Sequence, residues 1–182
     1  MMLTKQRQQT AYDALRGEYA YTSPMQAPRI AKVVVSTGVG KKRDPKVLAL
    51  VEDRLARITG QKAAARAARA SVASFKVRQG DTVGLQATLR GSRMFDFLDK
   101  LIHIALPRAR DFRGIPVTAL DDMGNLTIGI KEHTIFPETS DEDLKDVFGL
   151  AITIVTTAKS KKEAEAFFRH LGIPFRAPES KR

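Results

Sequence analysis

The sequence contains no cysteine, which excludes disulfides, a thiolate nucleophile and a zinc site built on cysteine. No apolar run approaches the roughly 18–20 residues that a membrane-spanning helix needs, and the first ten residues lack the apolar stretch of a signal peptide. The histidines at positions 103, 133 and 170 do not have the spacing of metal ligands. These absences predict a cytoplasmic chain that has no membrane partner, no metal site and no cofactor.

Acidic residues are scarce in the first part of the chain. Residues 1–110 contain 21 Lys and Arg but 8 Asp and Glu, whereas residues 111–182 contain 10 and 12. The whole chain carries a formal charge of +11 and a pI near 10.1. A basic charge gathered in one part of a chain favours a polyanionic partner that is touched from one side.

The segment from Ser71 to Arg93 combines a basic loop with a strand that has two unlike faces. Side chains alternate with period two along a strand. One face is therefore apolar and belongs on a core: Val83, Leu85, Ala87 and Leu89. The other face is small and polar and ends in a cation: Gly84, Gln86, Thr88 and Arg90. The second face suits a nucleic-acid backbone better than a protein interior.

Further strands and helices follow from periodicity and from capping residues. Strands are predicted at Arg29–Thr37, Leu126–Lys131 and Leu150–Thr157. The alanine-rich Gln61–Arg69 segment favours a helix locally, but its position between a helix stop and a basic loop predicts a strand. Helices are predicted at residues 3–17, from Asp44–Pro45 to Gly60, from Ser92 to about Leu106, and after the capping box Ser160–Glu163.

This pattern predicts an α+β fold: a mainly antiparallel sheet with helices packed on one face and an open face that binds RNA. Residues 1–28 would form an N-terminal helix and arm, residues 29–176 a single α+β domain, and residues 177–182 a flexible tail. Buried Gln86 and Thr88 would each cost about 1–3 kcal/mol if left without partners, which places the ligand on the open face. Folded RNA fits such a sheet better than B-DNA, because no recognition helix is evident.

Two patterns permit other interpretations. The turn at Ser36–Lys42 resembles a phosphate-binding loop. However, a Walker loop has Gly at the position of Val35 and Ser or Thr at the position of Lys42. Acidic residues gather at Glu138, Asp141, Glu142 and Asp143 on an otherwise basic chain. They form either the solvated start of a helix or a landing site for a basic protein.

Several segments, in collinear order from about residue 3 to 176, resemble one known family. They are V-V-V-S-T-G-V-G at 33–40, T-G-Q-K at 59–62, A-S-V-A-S-F-K-V-R-Q-G at 70–80, L-Q-A-T-L-R-G-S-R-M-F-D-F-L-D-K-L at 85–101, A-L-P-R-A-R-D-F-R-G at 105–114, I-F-P-E at 135–138 and L-G-I-P-F at 171–175. Together they resemble the bacterial large-subunit ribosomal protein L-five (L5) family, which binds 5S rRNA.

The resemblance implies a structural, non-enzymatic protein of the large ribosomal subunit that binds 5S rRNA in the central protuberance and contacts large-subunit rRNA. The residues implied to bind rRNA are Lys32, Ser36, Thr37, Gln61, Lys62, Gln86 and Thr88. The charge of Arg66 and Arg90 beside this face predicts that they bind rRNA as well. The loop at residues 71–80 would contact the peptidyl-site tRNA through Ser71, Phe75, Lys76 and Arg78. The family also bridges to small-subunit protein S-thirteen, a basic protein, which favours the partner interpretation of the acidic residues.

This chain departs from the family pattern in two places. Ser36–Thr37 replaces the usual Asn at the end of the first strand, and the Ala-rich segment before the basic loop has fewer lysines than usual. The competing interpretation, from a different functional class, is an RNA-modifying or nucleotide-dependent RNA enzyme. Preferential binding to 5S rRNA would favour the ribosomal interpretation, and nucleotide turnover would favour the enzyme interpretation.

Overall fold

A computed structural model describes residues 3–40, 45–110, 112–139 and 147–176. Its helices are α1 (Thr4–Tyr19), α2 (Pro45–Thr59), α3 (Ser92–Lys100) and α4 (Lys161–Leu171). Its strands are β1 (Ile30–Gly38), β2 (Ala64–Ala67), β3 (Thr82–Leu89), β4 (Leu126–Ile130) and β5 (Leu150–Thr156). Short 3₁₀ turns lie at Pro24–Gln26, Ala73–Phe75, Val117–Ala119, His133–Ile135 and Pro137–Thr139. Within the described ranges, no helix is long and apolar enough to cross a bilayer.

The strands form one open antiparallel sheet in the order β2-β3-β1-β5-β4, which confirms the predicted α+β class. The alanine-rich segment is an edge strand as predicted, since β2 pairs antiparallel with β3, Ala64 opposite Gln86 and Arg66 opposite Gly84. A register irregularity falls between Arg66 and Ala67, after which Ala67 pairs with Thr82. Tertiary pairing has therefore overridden the helical propensity of alanine.

By its internal contacts the chain divides into two compact units. The first unit contains the described residues of 3–33, 90–128 and 153–176, and the second contains those of 34–89 and 129–152. This division does not test whether residues 29–176 fold as the predicted single domain, which stays a prediction.

In the first unit, α1 packs against α4 and α3. The inward face of α4 is buried and includes Phe167 and Phe168, each contributing about 1.5–3 kcal/mol by burial. Helix α4 begins where the capping box places it, since the backbone N–H of Glu163 donates to Ser160 Oγ at 3.3 Å. Gly172 ends it in the left-handed conformation at φ 90°.

In the second unit, α2 packs on β3, and the apolar residues Val51, Leu55 and Ile58 of α2 are buried. The amphipathic pattern of α2 predicts Arg54 on the solvated side, but only 4% of it is exposed. This expectation is wrong because Arg54 lies three residues after Val51 and four before Ile58, and side chains at these spacings share one face of a helix. Helix α2 ends before Gly60 as predicted.

Helix α1 ends two residues later than expected. The pattern predicted a helix over residues 3–17, yet it continues to Tyr19, and Ala20 takes the left-handed conformation at φ 48°. Ala11 and Leu15 are buried, whereas Leu3 is exposed. The predicted cap at Asp44, the neighbouring Lys41–Arg43 cluster and the tail at 177–182 lie outside the described residues.

Candidate nucleic-acid interface

The strand β3 has the two faces that its alternation predicted. Leu85, Ala87 and Leu89 are buried, while Gln86 and Thr88 on the opposite face are half-buried. The amide of Gln86 and the hydroxyl of Thr88 are therefore not sealed in a dry interior. Both side chains carry donors and acceptors that reach solvent at low desolvation cost.

Neighbouring residues of the second unit hold this face in place. Arg66 lies diagonally across the β2–β3 pair and donates from Nε to Gln86 Oε1 at 2.6 Å, a cross-strand contact that fixes the amide. Gln61 Nε2 lies 3.4 Å from the carbonyl oxygen of Thr88. A ligand that meets Gln86 thus finds an oriented amide with a guanidinium beside it.

Ser36 and Thr37, adjacent in β1, lie on opposite sides of the strand. Ser36 is half-buried, but Thr37 is only 5% exposed and shares the buried side with Val33 and Val35. The Thr37 hydroxyl donates to the carbonyl oxygen of Gly149 at 2.7 Å. Thr37 was predicted among the rRNA contacts, but strand alternation turns its side chain away from the exposed side.

The remaining predicted rRNA residues are cations at or near strand ends. Lys62 is 86% exposed in its side chain and lies 3.4 Å from Glu52 Oε1, a surface pair worth less than about 1 kcal/mol. In the first unit, Lys32 is half-buried, while Arg90 is exposed and donates from Nη1 to the carbonyl oxygen of Ala31 at 3.3 Å.

Sequence reasoning missed one polar pair on the exposed side of the first unit. The hydroxyls of Thr127 in β4 and Thr153 in β5 lie 3.1 Å apart. The alternation of Leu150, Ile152 and Ile154 in β5 implies that Thr153 faces the exposed side.

The loop at 71–80 is a hydrogen-bonded hairpin extension. Val72 and Val77 exchange backbone hydrogen bonds of 2.9 and 3.2 Å, and the N–H of Gln79 donates to Ser71 Oγ at 3.0 Å. A 3₁₀ turn at its end presents Phe75, which is 77% exposed, followed by Lys76 in the left-handed conformation. Ser71, Lys76 and Arg78 are exposed as well.

Behind this hairpin, the second unit contains an open, mainly apolar groove of about 790 Å³. Its lining includes Phe75 and Val77 of the hairpin together with Val39, Val83 and Phe148. The ring of Phe148 stacks on His133 at 4.2 Å between centroids. One aromatic residue of the groove is therefore packed inside the protein, while Phe75 faces outward.

The remaining candidates are accounted for by packing. Among the described residues, no three His, Cys, Asp or Glu side chains are grouped to hold a metal ion. Asp99 accepts hydrogen bonds from the N–H and hydroxyl of Thr4. The Tyr21 hydroxyl donates to Glu163, a contact that joins the N-terminal arm to α4. Glu138 is exposed, whereas Asp141, Glu142 and Asp143 lie outside the described residues.

The protein has an open antiparallel sheet with half-exposed amide and hydroxyl groups, and cations flank these groups on a chain of charge +11. These features are typical of α+β proteins that bind nucleic acid by hydrogen bonds and charge. A family model described as ribosomal protein L5 matches residues 23–78. A second model, which describes the C-terminus of the same ribosomal protein family, matches residues 82–175.

Similar proteins cover nearly the whole chain. A protein of Anaeromyxobacter sp. (strain K) named large ribosomal subunit protein uL5 is 47% identical over 163 residues, 89% of this chain and 91% of that protein. A protein of the same name from Rubrobacter xylanophilus is 48% identical over 171 residues, 93% and 94% of the two chains. A third from Flavobacterium johnsoniae is 47% identical over 164 residues, 90% of each.

The chain belongs to the ribosomal protein L5 (uL5) family. It is a structural, rRNA-binding protein of the large ribosomal subunit that serves translation and has no enzymatic activity. The resemblance found in the sequence is thereby confirmed, and the competing enzyme interpretation is wrong.

Proposed function

We propose that the chain binds 5S rRNA in the central protuberance through the exposed side of β1 and β3 in the second unit. The half-buried Ser36, Gln86 and Thr88, together with Arg66, carry this proposal. Hydroxyl and amide groups hydrogen-bond to sugars and phosphates, and the guanidinium adds the counterion-release contribution. The broad sheet suits the shallow minor groove and looped nucleotides of folded RNA.

Thr37 is not part of the proposed surface, because its hydroxyl is bonded to Gly149 inside the second unit. Gln61 and Lys62 at the start of the β2 segment, with Lys32 and Arg90 in the first unit, are proposed as additional rRNA contacts. Their exposed or half-exposed side chains support this assignment.

The 71–80 hairpin is proposed to contact the peptidyl-site tRNA. Phe75 at the 3₁₀ turn exposes a ring that can stack on a base or ribose, and Lys76 and Arg78 add positive charge beside it. The hydrogen bonds between Val72 and Val77 hold the hairpin before a ligand arrives, which lowers the entropy cost of binding.

The remaining proposed partners are large-subunit rRNA and small-subunit protein S-thirteen. Exposed Glu138 supports the second proposal, because a carboxylate attracts a basic partner. Together these contacts would join the two ribosomal subunits beside the tRNA.

The test is binding of purified protein to 5S rRNA, tRNA and duplex DNA across a salt series. The double variant Gln86→Ala/Thr88→Ala removes two side-chain hydrogen-bonding groups worth about 1 kcal/mol each, so we expect 5S rRNA affinity to fall roughly tenfold or more. Phe75→Ala is expected to retain 5S rRNA affinity and to weaken tRNA binding.

The matched control is Gln9→Ala/Thr118→Ala, which removes the same two residue types from exposed positions on α1 and on the 3₁₀ turn of the first unit. It is expected to bind 5S rRNA like the wild type. A wild-type protein without preference for 5S rRNA over tRNA and DNA would refute the proposal. A large loss of 5S rRNA affinity in Phe75→Ala would refute the assignment of the hairpin.

A further inference from the structure

The apolar groove behind the 71–80 hairpin has a floor made of buried side chains. Val39, Val51 and Phe148 line the groove and are each at most 7% exposed. Phe148 is held through its backbone and its ring. The N–H of His133 donates to the Phe148 carbonyl oxygen at 3.1 Å, the N–H of Phe148 donates to His133 Nδ1 at 3.3 Å, and the two rings stack. The floor therefore keeps its shape without a ligand.

Backbone hydrogen bonds also fix the walls of the groove. The N–H of Val39 donates to the carbonyl oxygen of Val83 at 3.0 Å, which joins the end of β1 to the start of β3. On the hairpin side, the bonds between Val72 and Val77 hold the segment that contributes Phe75 and Val77 to the lining. A preformed, concave and mainly apolar site is the usual form of a small-molecule site.

The size and shape of the groove suit a ligand with aromatic rings. Its volume of about 790 Å³ falls within the range of about 300–1,000 Å³ that is typical of small-molecule sites. A Cβ added at Gly38 or at Gly40, which both line the groove, would meet no atom within 4 Å, so space remains beside the backbone. An aromatic ligand would cover the ring of Phe75, which is 77% exposed, and would gain from apolar burial and ring packing.

The charge at the groove selects the sign of the ligand. Of the lining residues that the structure describes, Lys76 alone is charged, and none carries a carboxylate. The exposed Ser74 adds a hydroxyl to the same lining. An ammonium group at the edge of an apolar site pairs with an anionic group of a ligand and disfavours a cationic one.

We propose that this groove binds a small aromatic anion. The ring system of the ligand lies against Phe75 and the floor, and its carboxylate or sulfonate pairs with the ammonium group of Lys76. One cation in an apolar lining suits a single anionic group better than a phosphate chain, which several cations together neutralise. The inference goes beyond the proposed function, which assigns contacts with RNA and protein.

The experiment titrates the full-length protein with the fluorescent probe anilinonaphthalene sulfonate, an aromatic anion. Its matched probe is phenylnaphthylamine, which has the same rings without the sulfonate. We expect one site per chain with a Kd of about 10–100 μM for the anion and binding of the neutral probe about two- to fivefold weaker. No RNA is present, so the result does not depend on whether the proposed function holds.

Substitutions at the rim separate the contribution of the rings from that of the charge. Phe75→Ala is expected to weaken both probes about three- to tenfold, because the aromatic wall is lost. Lys76→Gln is expected to weaken the anion about two- to fivefold and to leave the neutral probe within about twofold of wild type. Lys76→Arg keeps the charge and should bind both probes like wild type.

The hairpin supplies a matched control. Val72 and Val77 are partners in one backbone bridge, but of the two only Val77 lines the groove. Val77→Ala should weaken both probes about two- to fivefold, and Val72→Ala should stay within about twofold of wild type. Arg69→Gln removes an exposed cation of the same unit that does not line the groove and should also bind like wild type. Thermal unfolding checks that each variant is folded.

Four results would overturn the proposal. The first two concern the site: wild-type binding of both probes by Phe75→Ala, or an equal loss in Val72→Ala and Val77→Ala. The other two concern the charge: a loss of anion binding in Arg69→Gln as large as in Lys76→Gln, or an equal response of the two probes to Lys76→Gln.

Discussion

The two compact units use their polar side chains differently. In the first unit, Asp99, Glu163 and Arg7 bond to other parts of the same unit, Arg7 through Nη1 to the carbonyl oxygen of Leu171 at 2.8 Å. On the exposed side of the second unit, Gln86 and Thr88 stay half-exposed. A polar group that is bonded internally contributes to stability, and one that is left accessible is available to a ligand. Substitutions in the first set should therefore change stability, and substitutions in the second set should change binding.

Gly84→Ala in β3 should give the largest effect, because it breaks the geometry of the second unit itself. A Cβ at this position would lie 2.9 Å from the carbonyl oxygen of Thr37, closer than a carbon and an oxygen tolerate. We expect the strands to separate at a cost of about 1–3 kcal/mol, a fall in Tm of roughly 2–12 °C. Binding of 5S rRNA should fall at least tenfold, since β3 carries Gln86 and Thr88.

The matched control for this substitution is Gly38→Ala at the end of β1. A Cβ at Gly38 meets no atom within 4 Å, so its unfolding free energy should stay within about 0.5 kcal/mol of wild type. Thermal unfolding and 5S rRNA titration of both variants check the expectation. Equal behaviour of the two alanine variants would show that the close approach of β3 to Thr37 is unimportant.

The sequence predicted the fold wherever hydrophobic periodicity was regular. Alternation in β3 separated Leu85 and Ala87 from Gln86 and Thr88 correctly, because strand geometry assigns faces without further information. The same rule applied strictly to β1 would have separated Ser36 from Thr37. Treating these neighbours as one motif joined two side chains that face opposite sides.

Contacts between distant residues could not be predicted in this way. The pairing of β2 with β3 depends on a partner strand, and a local alanine-rich pattern does not contain it. The hydrophobic pattern of α3 also does not predict that the helix continues as a π-helical turn at Leu101–Ala105. The sequence around Asp99 does not distinguish it from a solvated helix carboxylate, yet Asp99 bonds to Thr4, 95 residues earlier.

Asp99→Ala should give an intermediate effect, confined to stability. Helix α1 begins after Leu3, whose side chain has no oxygen to cap it, and Asp99 accepts from the Thr4 N–H at 2.8 Å instead. The carboxylate also lies at the positive end of the α1 dipole. We expect loss of about 1–3 kcal/mol of unfolding free energy, measured by chemical denaturation, with 5S rRNA affinity unchanged.

The control for this variant is Asp96→Ala, which removes an exposed carboxylate from the same helix. Its unfolding free energy should change by less than about 0.5 kcal/mol. If Asp99→Ala instead lowered 5S rRNA affinity while leaving stability intact, the distinction between the two units would be wrong.

Tyr21→Phe should give the smallest effect and one that depends on pH. Burial and the hydrogen bond to Glu163 raise the pKa of the Tyr21 hydroxyl above its ordinary value of 10.0. Because the folded state favours the neutral phenol, this stabilisation is complete below about pH 10 and is lost as the pH rises toward the folded-state pKa. The pKa of Tyr19 is raised in the same direction by burial and by Glu18, so the Phe variant keeps part of the dependence.

At pH 7–9 the Phe variant should therefore unfold a few degrees below wild type, about 1 kcal/mol or less for one partly exposed hydrogen bond. Above pH 10 the Tm of the wild type should fall more steeply and the gap should narrow. Thermal scans from pH 7 to 11 measure both slopes. A gap that stays constant or widens above pH 10 would mean that the hydrogen bond of the Tyr21 phenol is not what ties the N-terminal arm to α4.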